Sequence, residues 1–373
     1  MKPIITISRI IVGLLFIFSG LIKANDPLGL SYKMQEFFEV WGMTSLNDYT
    51  LALSVVMNAF EIIAGVAILV GWQMRLFSWL LLLLIIFFSF LTGYAVLTDK
   101  IKECGCFGNC IPLKAGESFM KDLILLGLIL LIFAFRNKIK PALNTRNSVI
   151  ILFFTTVFAF ALQWYTLQHL PIVDCLPFKK GNHIAEKMKI PPGARPDSTV
   201  ISFVYEVKGK QVEFTADSFP DDFNDSTYKF IRRYDKLIRK GNAEPSIKDF
   251  SLKNPKGEDV TEQLLNAEGY KLFLFLKDGY KEGDWTTYAD MIMKDAFNKG
   301  IPGFLITNVS LEELYKNPPQ VFNRLNPLRC DATAIKTAAR ANPTLYLIKG
   351  DQIVEKWSYA DFNAALRKIQ TLQ

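Results

Sequence analysis

The chain has 373 residues and a mass of 42.4 kDa, 50% of its residues are hydrophobic, and its formal net charge is +7. The charges are unevenly distributed, since residues 1–170 carry 13 Lys/Arg and 9 Asp/Glu while residues 171–373 carry 30 and 27. Long uncharged runs confined to one half exclude a cytosolic enzyme, a disordered chain and a fibrous repeat. No basic cluster is interleaved with aromatic residues, and the composition therefore predicts no nucleic-acid partner.

Five apolar runs in the first half reach or approach the ~20 helical residues that cross ~30 Å of hydrocarbon. They cover residues 4–22, 49–72, 76–97, 119–135 and 149–167. The lipid bilayer is therefore the predicted environment of this half. A signal peptide is the alternative for the first run, but that run exceeds the ~7–15 residues of a typical signal core.

The positions of Lys and Arg in the short loops predict the orientation, because cytoplasmic loops retain positive charge. The loop after the fourth run has four basic residues and no acid, and alternation then places the amino terminus in the cytoplasm and the charged half outside. We therefore expect an integral protein of a bacterial inner membrane with a periplasmic carboxyl-terminal domain. Three lysines in the predicted outer loop 98–118 weigh against this assignment.

Three cysteines cluster directly before the fourth run, in the sequence E-C-G-C-F-G-N-C of residues 103–110. The glycines between them permit a tight turn that brings the sulfur atoms together. We interpret Cys104, Cys106 and Cys110 as catalytic candidates for thiol and disulfide exchange, because strained or exposed disulfides are the labile ones. A structural staple is one alternative. A thiolate metal site is another, although the spacing lacks the paired C-x2-C arms of zinc sites.

All five cysteines of the chain lie on the predicted outer side, where disulfides persist. The odd number leaves at least one thiol unpaired, shared with a partner or exchanging. Cys175 lies close to the predicted membrane exit, on the same side as the cluster, and is therefore a further candidate for a disulfide with it.

Three segments of the first half carry a family resemblance: R-I-I-V-G-L-L-F-I-F-S-G-L-I-K at 9–23, N-A-F-E-I-I-A-G-V-A-I-L-V-G-W at 58–72, and C-G-C-F-G at 104–108. They resemble the DoxX/MauE family of small four-helix membrane proteins, over about the first 136 residues. The resemblance implies a redox-associated bundle, since MauE is linked to disulfide formation in methylamine dehydrogenase maturation. DoxX relatives are linked to quinone-coupled oxidation of sulfur compounds, so a quinone is the implied cofactor.

Glu61 lies near the middle of the second run, and Asn58 is three residues before it on the same helix face. Ionisable groups at membrane depth are costly and usually face a partner or a cavity. We interpret Asn58 and Glu61 as cofactor-binding residues beside a bound quinone. The alternative is a neutral, hydrogen-bonded carboxyl that serves helix packing.

Residues 171–243 predict a linker with short elements. A Pro/Gly-rich stretch ends near residue 196. Alternating residues at 200–207 and 211–216 predict a β-hairpin, and residues 226–240 predict a basic helix with a solvated face.

The remainder of the chain predicts strand, helix, strand, helix, strand, strand, helix, the order of a small α/β sandwich. Residues 247–257 and 272–276 resemble the beginning of TlpA and peroxiredoxin-type thioredoxin folds. Residues 342–350 resemble the thioredoxin segment in which a cis proline faces the active site. The resemblance implies a thioredoxin-like domain over residues 244–373 with a cis bond before Pro343.

This domain departs from thioredoxins at one decisive point. Thioredoxins carry C-x-x-C at the helix start after the first central strand, where the helix dipole lowers a thiol pKa. Residues 278–287 contain no cysteine, so the ordinary thioredoxin reaction is excluded. Cys330 is either a buried small hydrophobe or a lone exchanging thiol. We assign Pro343 and Cys330 to the binding of an extracytoplasmic thiol protein.

The sequence thus predicts a multidomain membrane protein: a transmembrane helix bundle over 1–136, a connector helix over 137–170, a linker over 171–243 and an α/β thioredoxin-like domain over 244–373. We expect thiol and disulfide exchange in extracytoplasmic proteins with electrons passed to a quinone, which is a thiol:quinone oxidoreductase-like activity. The alternative is a non-enzymatic membrane scaffold or assembly factor whose cysteines are structural and whose degenerate thioredoxin-like domain binds a partner.

Overall fold

The computed structural model describes the chain except residues 1, 102–104, 196–197, 216–217, 221–222, 225–226, 240, 242–243, 278, 280–282, 317 and 373. Cys104, a predicted catalytic residue, lies outside the described residues.

The first half folds into α-helices that match the five predicted runs and include one addition. They are α1 (Lys2–Asn25), α2 (Pro27–Val40), α3 (Thr50–Val70), α4 (Met74–Thr98), α5 (Ala115–Ala134) and α6 (Thr145–Gln168). Within the described residues, four segments are long and apolar enough to cross a membrane: Pro3–Asn25, Thr44–Val70, Met74–Thr98 and Thr145–Gln168. This half is therefore an α-helical membrane bundle.

Helix α5 is not one of those four segments, because three charged residues lie near its start. Its 20 residues nonetheless span roughly 30 Å at 1.5 Å per residue. Near its start, Asp122 accepts a hydrogen bond from Thr92, close to the end of α4, at 3.1 Å. Just after its end, Asn137 accepts one from Arg75, at the start of α4, at 2.9 Å. Helix α5 therefore runs antiparallel to α4 over its whole depth, which favours the predicted fifth crossing.

Helix α2 is the addition, which the sequence analysis missed because polar and apolar side chains alternate in its 14 residues. Asp26 caps its start, since the carboxylate accepts a hydrogen bond from the Gly29 N–H at 3.1 Å. Pro27 follows at the first helical position, where its missing N–H removes no helical hydrogen bond. Ser31 and Thr50 place their hydroxyl oxygens 2.9 Å apart and so join α2 to α3.

The carboxyl-terminal domain contains a five-stranded sheet of order β6-β5-β4-β7-β8. Strand β5 is parallel to both β4 and β6, and β7 is antiparallel to both β4 and β8. The strands are β4 (Tyr270–Leu276), β5 (Gly303–Thr307), β6 (Asn326–Arg329), β7 (Thr344–Lys349) and β8 (Gln352–Ser358). Around them lie α7 (Ile184–Lys187), α8 (Thr261–Asn266), α9 (Asp284–Asn298), α10 (Leu311–Leu314), α11 (Ala332–Ala338) and α12 (Phe362–Thr371).

This order is that of a thioredoxin-like fold, and the Asn342–Pro343 peptide directly before β7 is cis, as predicted. Strand β4 is buried on both faces, as its unbroken apolar sequence requires. Its even-numbered leucines, Leu272, Leu274 and Leu276, enter one hydrophobic core, and Phe273 and Phe275 enter the other. The predicted element order matches β4, α9, β5, α11, β7, β8 and α12, and among the described residues it lacks the short elements α8, α10 and β6.

A second sheet of three antiparallel strands, in the order β2-β1-β3, precedes this domain core. Its strands are β1 (Ser198–Val207), β2 (Lys210–Thr215) and β3 (Tyr228–Arg239). The predicted hairpin is confirmed as β1 and β2, whereas the basic helix predicted at 226–240 is wrong. Tyr205 of β1 pairs with Phe230 of β3, and their rings lie 5.6 Å apart. Such aromatic cross-strand pairs favour a strand over a helix.

The predicted linker also needs correction. Phe178 and Ile184 are buried in the same core as Phe250, and the rings of Phe178 and Phe250 are 5.5 Å apart. The segment just after α6 therefore belongs to the carboxyl-terminal domain, which does not begin at residue 244.

A disulfide joins Cys110 to Cys175, with the two Cα atoms 4.8 Å apart. Cys110 belongs to residues 99–114, the cysteine loop, which connects α4 to α5. The Thr166 hydroxyl at the end of α6 donates to the Ala24 carbonyl at the end of α1 at 3.1 Å, so both helices end at the same side of the bundle. The disulfide therefore ties the cysteine loop to the beginning of the carboxyl-terminal domain.

We expect Cys110→Ser to lower the free energy of unfolding by about 2–4 kcal/mol, because the disulfide closes a long chain segment. Thermal unfolding of the purified protein in detergent measures this. Cys175→Ser should give the same loss, and the double variant no further loss. Single variants that unfold at the same temperature as the wild type, in the absence of reductant, would show that this disulfide does not stabilise the protein.

Candidate functional site

A cavity of about 210 Å³ lies within the helix bundle and is walled by α1 to α5 and the cysteine loop. Most of its wall is apolar, and aromatic rings are prominent among the lining residues: Phe16, Phe37, Trp41, Phe88 and Phe107. A few polar side chains interrupt this wall, chiefly Lys23, Glu61, Cys106, Lys121 and Asp122. An apolar cavity with a small number of polar groups is typical of sites for small organic ligands.

Glu61 forms an ion pair with Lys23, and the two side chains are 1% and 3% exposed. The Ser19 hydroxyl lies 3.0 Å from the Glu61 carboxylate and 3.0 Å from the carbonyl oxygen of Cys106. Pairing makes this burial of charge tolerable, since an isolated buried ion costs several kcal/mol. The pair joins α1 to α3, and Ser19 connects it to the cysteine loop. Glu61 thus lies at a cavity, and its cofactor-binding role stays a prediction.

Asn58 does not share that position. Its side chain donates to Gln163 of α6 at 3.2 Å and lies 3.4 Å from the Ser54 hydroxyl. It is not one of the residues that line the cavity. The prediction that Asn58 and Glu61 act together at one site is therefore wrong. Side chains three residues apart on a helix point about 60° away from each other. In a helix that is packed on several sides, this difference is enough for Asn58 and Glu61 to meet different neighbouring helices.

The cysteine loop turns into the bundle at Cys106. Gly105 and Gly108 have φ values of 68° and 55°, which favour glycine, and the Gly108 N–H donates to the Gly105 carbonyl at 3.0 Å. The predicted tight turn is thus confirmed. A Cβ on Gly105 would lie 3.1 Å from Cγ of Lys33, so the loop also packs against α2. Cys106 has a free thiol and lines the cavity.

Charged groups near Cys106 oppose one another. Burial raises the pKa of its thiol, Lys121 lowers it, Asp122 raises it, and Lys23 and the Ser118 hydroxyl lower it. The Lys121 ammonium is 2.8 Å from the Asp122 carboxylate. It also lies 5.2 Å from the ring centre of Phe107, the neighbour of Cys106. The cavity therefore brings a partly buried thiol, an ammonium group and an aromatic wall together.

The remaining predicted site residues lie elsewhere. Cys110 is bonded to Cys175 and not to a cysteine of its own loop. Cys330 is buried in the core of the carboxyl-terminal domain, where burial raises the pKa of its thiol to about 12. Pro343 is buried as well. The predicted partner-binding role of Pro343 and Cys330 stays a prediction, and it requires these two residues to become accessible.

The carboxyl-terminal domain docks on α2 through one aromatic ring. Tyr32 is surrounded by three cations, Lys277, Lys336 and Arg340, at 5.5, 5.4 and 5.3 Å from its ring centre. Lys277 also donates to the Tyr32 hydroxyl at 2.8 Å. Arg340 forms an ion pair with Asp26, the cap of α2, at 2.9 Å. Because the opposite side of α2 lines the cavity, this helix lies between the cavity and the domain.

The docked surface is the edge that carries the cis proline. The Asn342 side chain accepts from the Lys277 N–H at 2.9 Å and donates to the Gly279 carbonyl at 3.0 Å, just beyond β4. This is where thioredoxins carry C-x-x-C, so that end of the domain faces its own membrane half.

Lys23, Lys121 and Asp122 were not predicted at this site. Lys23 follows directly after the first apolar run, residues 4–22, and its position therefore did not indicate a place at membrane depth. The pair Lys121-Asp122 was available as a signal, since adjacent opposite charges at the start of an apolar run are costly unless they face a cavity.

Residues 1–135 match the family model of Methylamine utilisation protein MauE, and residues 199–240, which include much of the three-stranded sheet, match Domain of unknown function (DUF8463). No curated protein matches the chain. The resemblance to DoxX stays a prediction.

Two solved structures are similar to 34% of the chain. BsSco, a member of the Sco family of cytochrome c oxidase assembly proteins, has 17% identity, 94% of its own chain covered and a TM-score of 0.25. The Xanthomonas campestris bacterioferritin comigratory protein has 12% identity, 92% coverage and a TM-score of 0.25. The thioredoxin-like fold of the carboxyl-terminal domain is assigned from the strand order of its sheet.

We expect Glu61→Gln to lower the free energy of unfolding by about 3–5 kcal/mol, because it leaves the Lys23 charge buried without its partner. Thermal or denaturant unfolding in detergent measures the loss. The double variant Glu61→Gln/Lys23→Met removes both charges and should recover most of it. If Glu61→Gln were as stable as the wild type, the ion pair would not contribute to the free energy of unfolding in this way.

We expect Tyr32→Leu to weaken docking of the carboxyl-terminal domain by about 2 kcal/mol, since it removes three cation–π contacts and a hydrogen bond. Hydrogen exchange of residues 336–343 should become faster. Tyr49→Leu, at a largely exposed tyrosine, is the matched control and should leave that exchange unchanged. Equal protection in wild type and Tyr32→Leu would mean that other contacts hold the domain.

Proposed function

We propose that the protein is a membrane thiol oxidoreductase in which Cys106 exchanges disulfides and passes electrons to a quinone held in the bundle cavity. The observation that carries this proposal is the position of the Cys106 thiol in the wall of an apolar, aromatic-lined cavity. A structural staple needs no cavity beside its sulfur atom, whereas a redox thiol needs room for the acceptor.

The residues present fit a quinone. The cavity of about 210 Å³ has room for a ring rather than for a drug-sized ligand. The rings of Phe37, Phe88 and Phe107 supply apolar and aromatic surface for such a ring. Lys23 and Lys121 supply hydrogen-bond donors suited to carbonyl oxygens. A bound quinone would supply a two-electron, two-proton acceptor.

The chain's own residues hold and prepare the reacting thiol. Ser19 fixes the backbone of the cysteine loop at Cys106, and the wall around the thiol is mostly apolar. Lys121 and Lys23 favour the charged form of that thiol, which is the nucleophile in disulfide exchange.

The electrons and protons balance in two stages. In the first, two thiols of a partner protein become one disulfide while one disulfide of this chain becomes two thiols. In the second, the two thiols of this chain, Cys106 and a second cysteine, are reoxidised to a disulfide. The two electrons and two protons released convert the quinone to a quinol. Cys104 is the second cysteine that the sequence offers nearest to Cys106.

The partner that we propose is an extracytoplasmic thiol protein, on the orientation expected from the basic loops. The cysteine loop, the end of α6 and the carboxyl-terminal domain meet at one side of the bundle, where the Cys110–Cys175 disulfide joins them. A disulfide persists in an oxidising compartment, which supports a periplasmic position for that side.

A non-enzymatic scaffold or assembly factor is the second candidate. One observation favours it: the disulfide from the cysteine loop runs to Cys175 and acts as a tether, and Cys330 is buried. On this alternative the cysteines are structural, and the carboxyl-terminal domain only positions a partner.

Replacement of Cys106 separates the two candidates. We expect Cys106→Ser and Cys106→Ala to reduce quinone-dependent oxidation of a dithiol peptide to background, because the reacting sulfur is lost. The assay follows quinone absorbance with the purified full-length protein in lipid nanodiscs, and equal melting temperatures serve as the folding control. Wild-type protein that oxidises no thiols with any quinone, or unchanged rates in both variants, would favour the scaffold.

A further inference from the structure

Five charged side chains of the described residues face the cavity around Cys106. They come from four of the helices packed against it, and α4 contributes the neutral Thr92. The charged residues are Lys23 of α1, Lys33 of α2, Glu61 of α3, and Lys121 and Asp122 of α5.

Two of the three lysines are occupied by other partners. Lys23 is buried in its ion pair with Glu61, and the two opposite charges largely cancel at a distance. Lys33 pairs with Glu36 at 2.9 Å, and both of these side chains remain partly accessible to solvent, which screens their charges.

Lys121 is placed differently. Its carboxylate partner, Asp122, is shared, because it also accepts the hydrogen bond from Thr92 at 3.1 Å. The Lys121 ammonium lies over the ring of Phe107, the residue that follows Cys106 in the chain. Among the charged groups, it has the strongest effect on the pKa of the Cys106 thiol, which it lowers. A new negative charge at Cys106 therefore meets a cation already in position.

We propose that Lys121, anchored by Asp122, is the positioning residue that stabilises the Cys106 thiolate in the cavity. The proposal rests on the redox function proposed for Cys106, but its first test requires neither a quinone nor a partner. Without the cation, an anionic sulfur in an apolar cavity is strongly disfavoured, because burial raises the pKa of the thiol.

The chemistry of this step is simple. Deprotonation moves the thiol proton to water and leaves the negative charge on the Cys106 sulfur, beside Lys121. In the direction of the proposed function, a partner thiolate attacks a disulfide that contains Cys106, and the Cys106 sulfur leaves as the thiolate. In the reverse direction, the Cys106 thiolate attacks one sulfur of a partner disulfide, and a partner thiolate leaves. Lys121 changes the population of the thiolate and takes no part in the bonds that form and break.

Three variants of the full-length protein test the proposal. Lys121→Met removes the charge and keeps the aliphatic stem, and Lys121→Arg keeps the charge. Lys114→Met removes an exposed lysine that caps the same helix, seven residues earlier. After reduction, the rate of alkylation of Cys106 by iodoacetamide is followed by mass spectrometry from pH 6 to pH 10.

We expect Lys121→Met to slow alkylation at least about tenfold at pH 7.5, since a neighbouring charge shifts a pKa by about 1–3 units. The loss should be recovered when the pH is raised, because the thiolate fraction rises tenfold per pH unit below the pKa. Lys121→Arg and Lys114→Met should follow the wild-type profile. A merely structural role for Lys121 would give a loss that higher pH does not recover.

The proposal is overturned if Lys121→Met keeps the wild-type profile, or if Lys114→Met shifts it equally. Where Lys121→Met fails to fold, Asp122→Asn provides the second variant. It removes the carboxylate that anchors Lys121, so alkylation should become slower. Faster alkylation, the result of removing only a negative charge near the sulfur atom, would contradict the anchoring role of Asp122. An unchanged profile in Asp122→Asn would contradict the proposal.

Failure of this test and failure of the proposed function are distinguishable. A shifted alkylation profile with no quinone-dependent oxidation in the wild type would retain Lys121 as the positioning residue and remove the quinone. Quinone-dependent oxidation with an unshifted alkylation profile would support the quinone as acceptor and exclude Lys121 as the positioning residue.

Discussion

The ion pair between Lys23 and Glu61 is the constraint on which the arrangement of the helix bundle depends. Neither charge is tolerable alone at this depth, so α1 and α3 must hold the register that keeps them paired. Ser19, one turn before Lys23 on α1, then reaches the carbonyl of Cys106 and fixes the cysteine loop against the same pair. The position of the thiol in the cavity wall follows from a charge that the bundle has to neutralise.

A second constraint acts from outside the bundle, through α2. This helix lines the cavity on one side and carries Tyr32 and Asp26, which hold the carboxyl-terminal domain, on the other. The domain has lost the cysteines of its fold class and presents the corresponding edge to its own membrane half. Its fold is thus used for a contact within the chain, and the sulfur chemistry that we propose is assigned to the bundle. Any movement of the domain that shifts α2 changes one wall of the cavity.

The transmembrane helices could be predicted from sequence because each contains a predominantly apolar run of sufficient length. The central strand β4 was predictable from its apolar sequence, and the cis bond before Pro343 from the resemblance of residues 342–350 to a thioredoxin segment. Helix α2 has no such run, and Tyr228–Arg239 has basic residues at helical spacing, but pairs with β1 as a strand. In both cases tertiary contacts decide between local preferences that are nearly equal.

The candidate site was harder to predict, because it depends on contacts between distant parts of the chain. Cys106 and Glu61 were identified from residue type and position. The partners that define their chemistry were not: Lys23 is 38 residues from Glu61, and Cys175 is 65 residues from Cys110. Asn58 was assigned to the wrong neighbour, since spacing along one helix does not say which of two adjacent helices a side chain meets.

The central claim is that Cys106 exchanges electrons with a quinone in the cavity. The most direct measurement is the redox state of each cysteine, by differential alkylation and mass spectrometry, in native membranes with and without a quinone pool. The account predicts that Cys106 becomes reduced when quinone is withdrawn while the disulfide between Cys110 and Cys175 persists. An identical redox state of Cys106 under both conditions would contradict it.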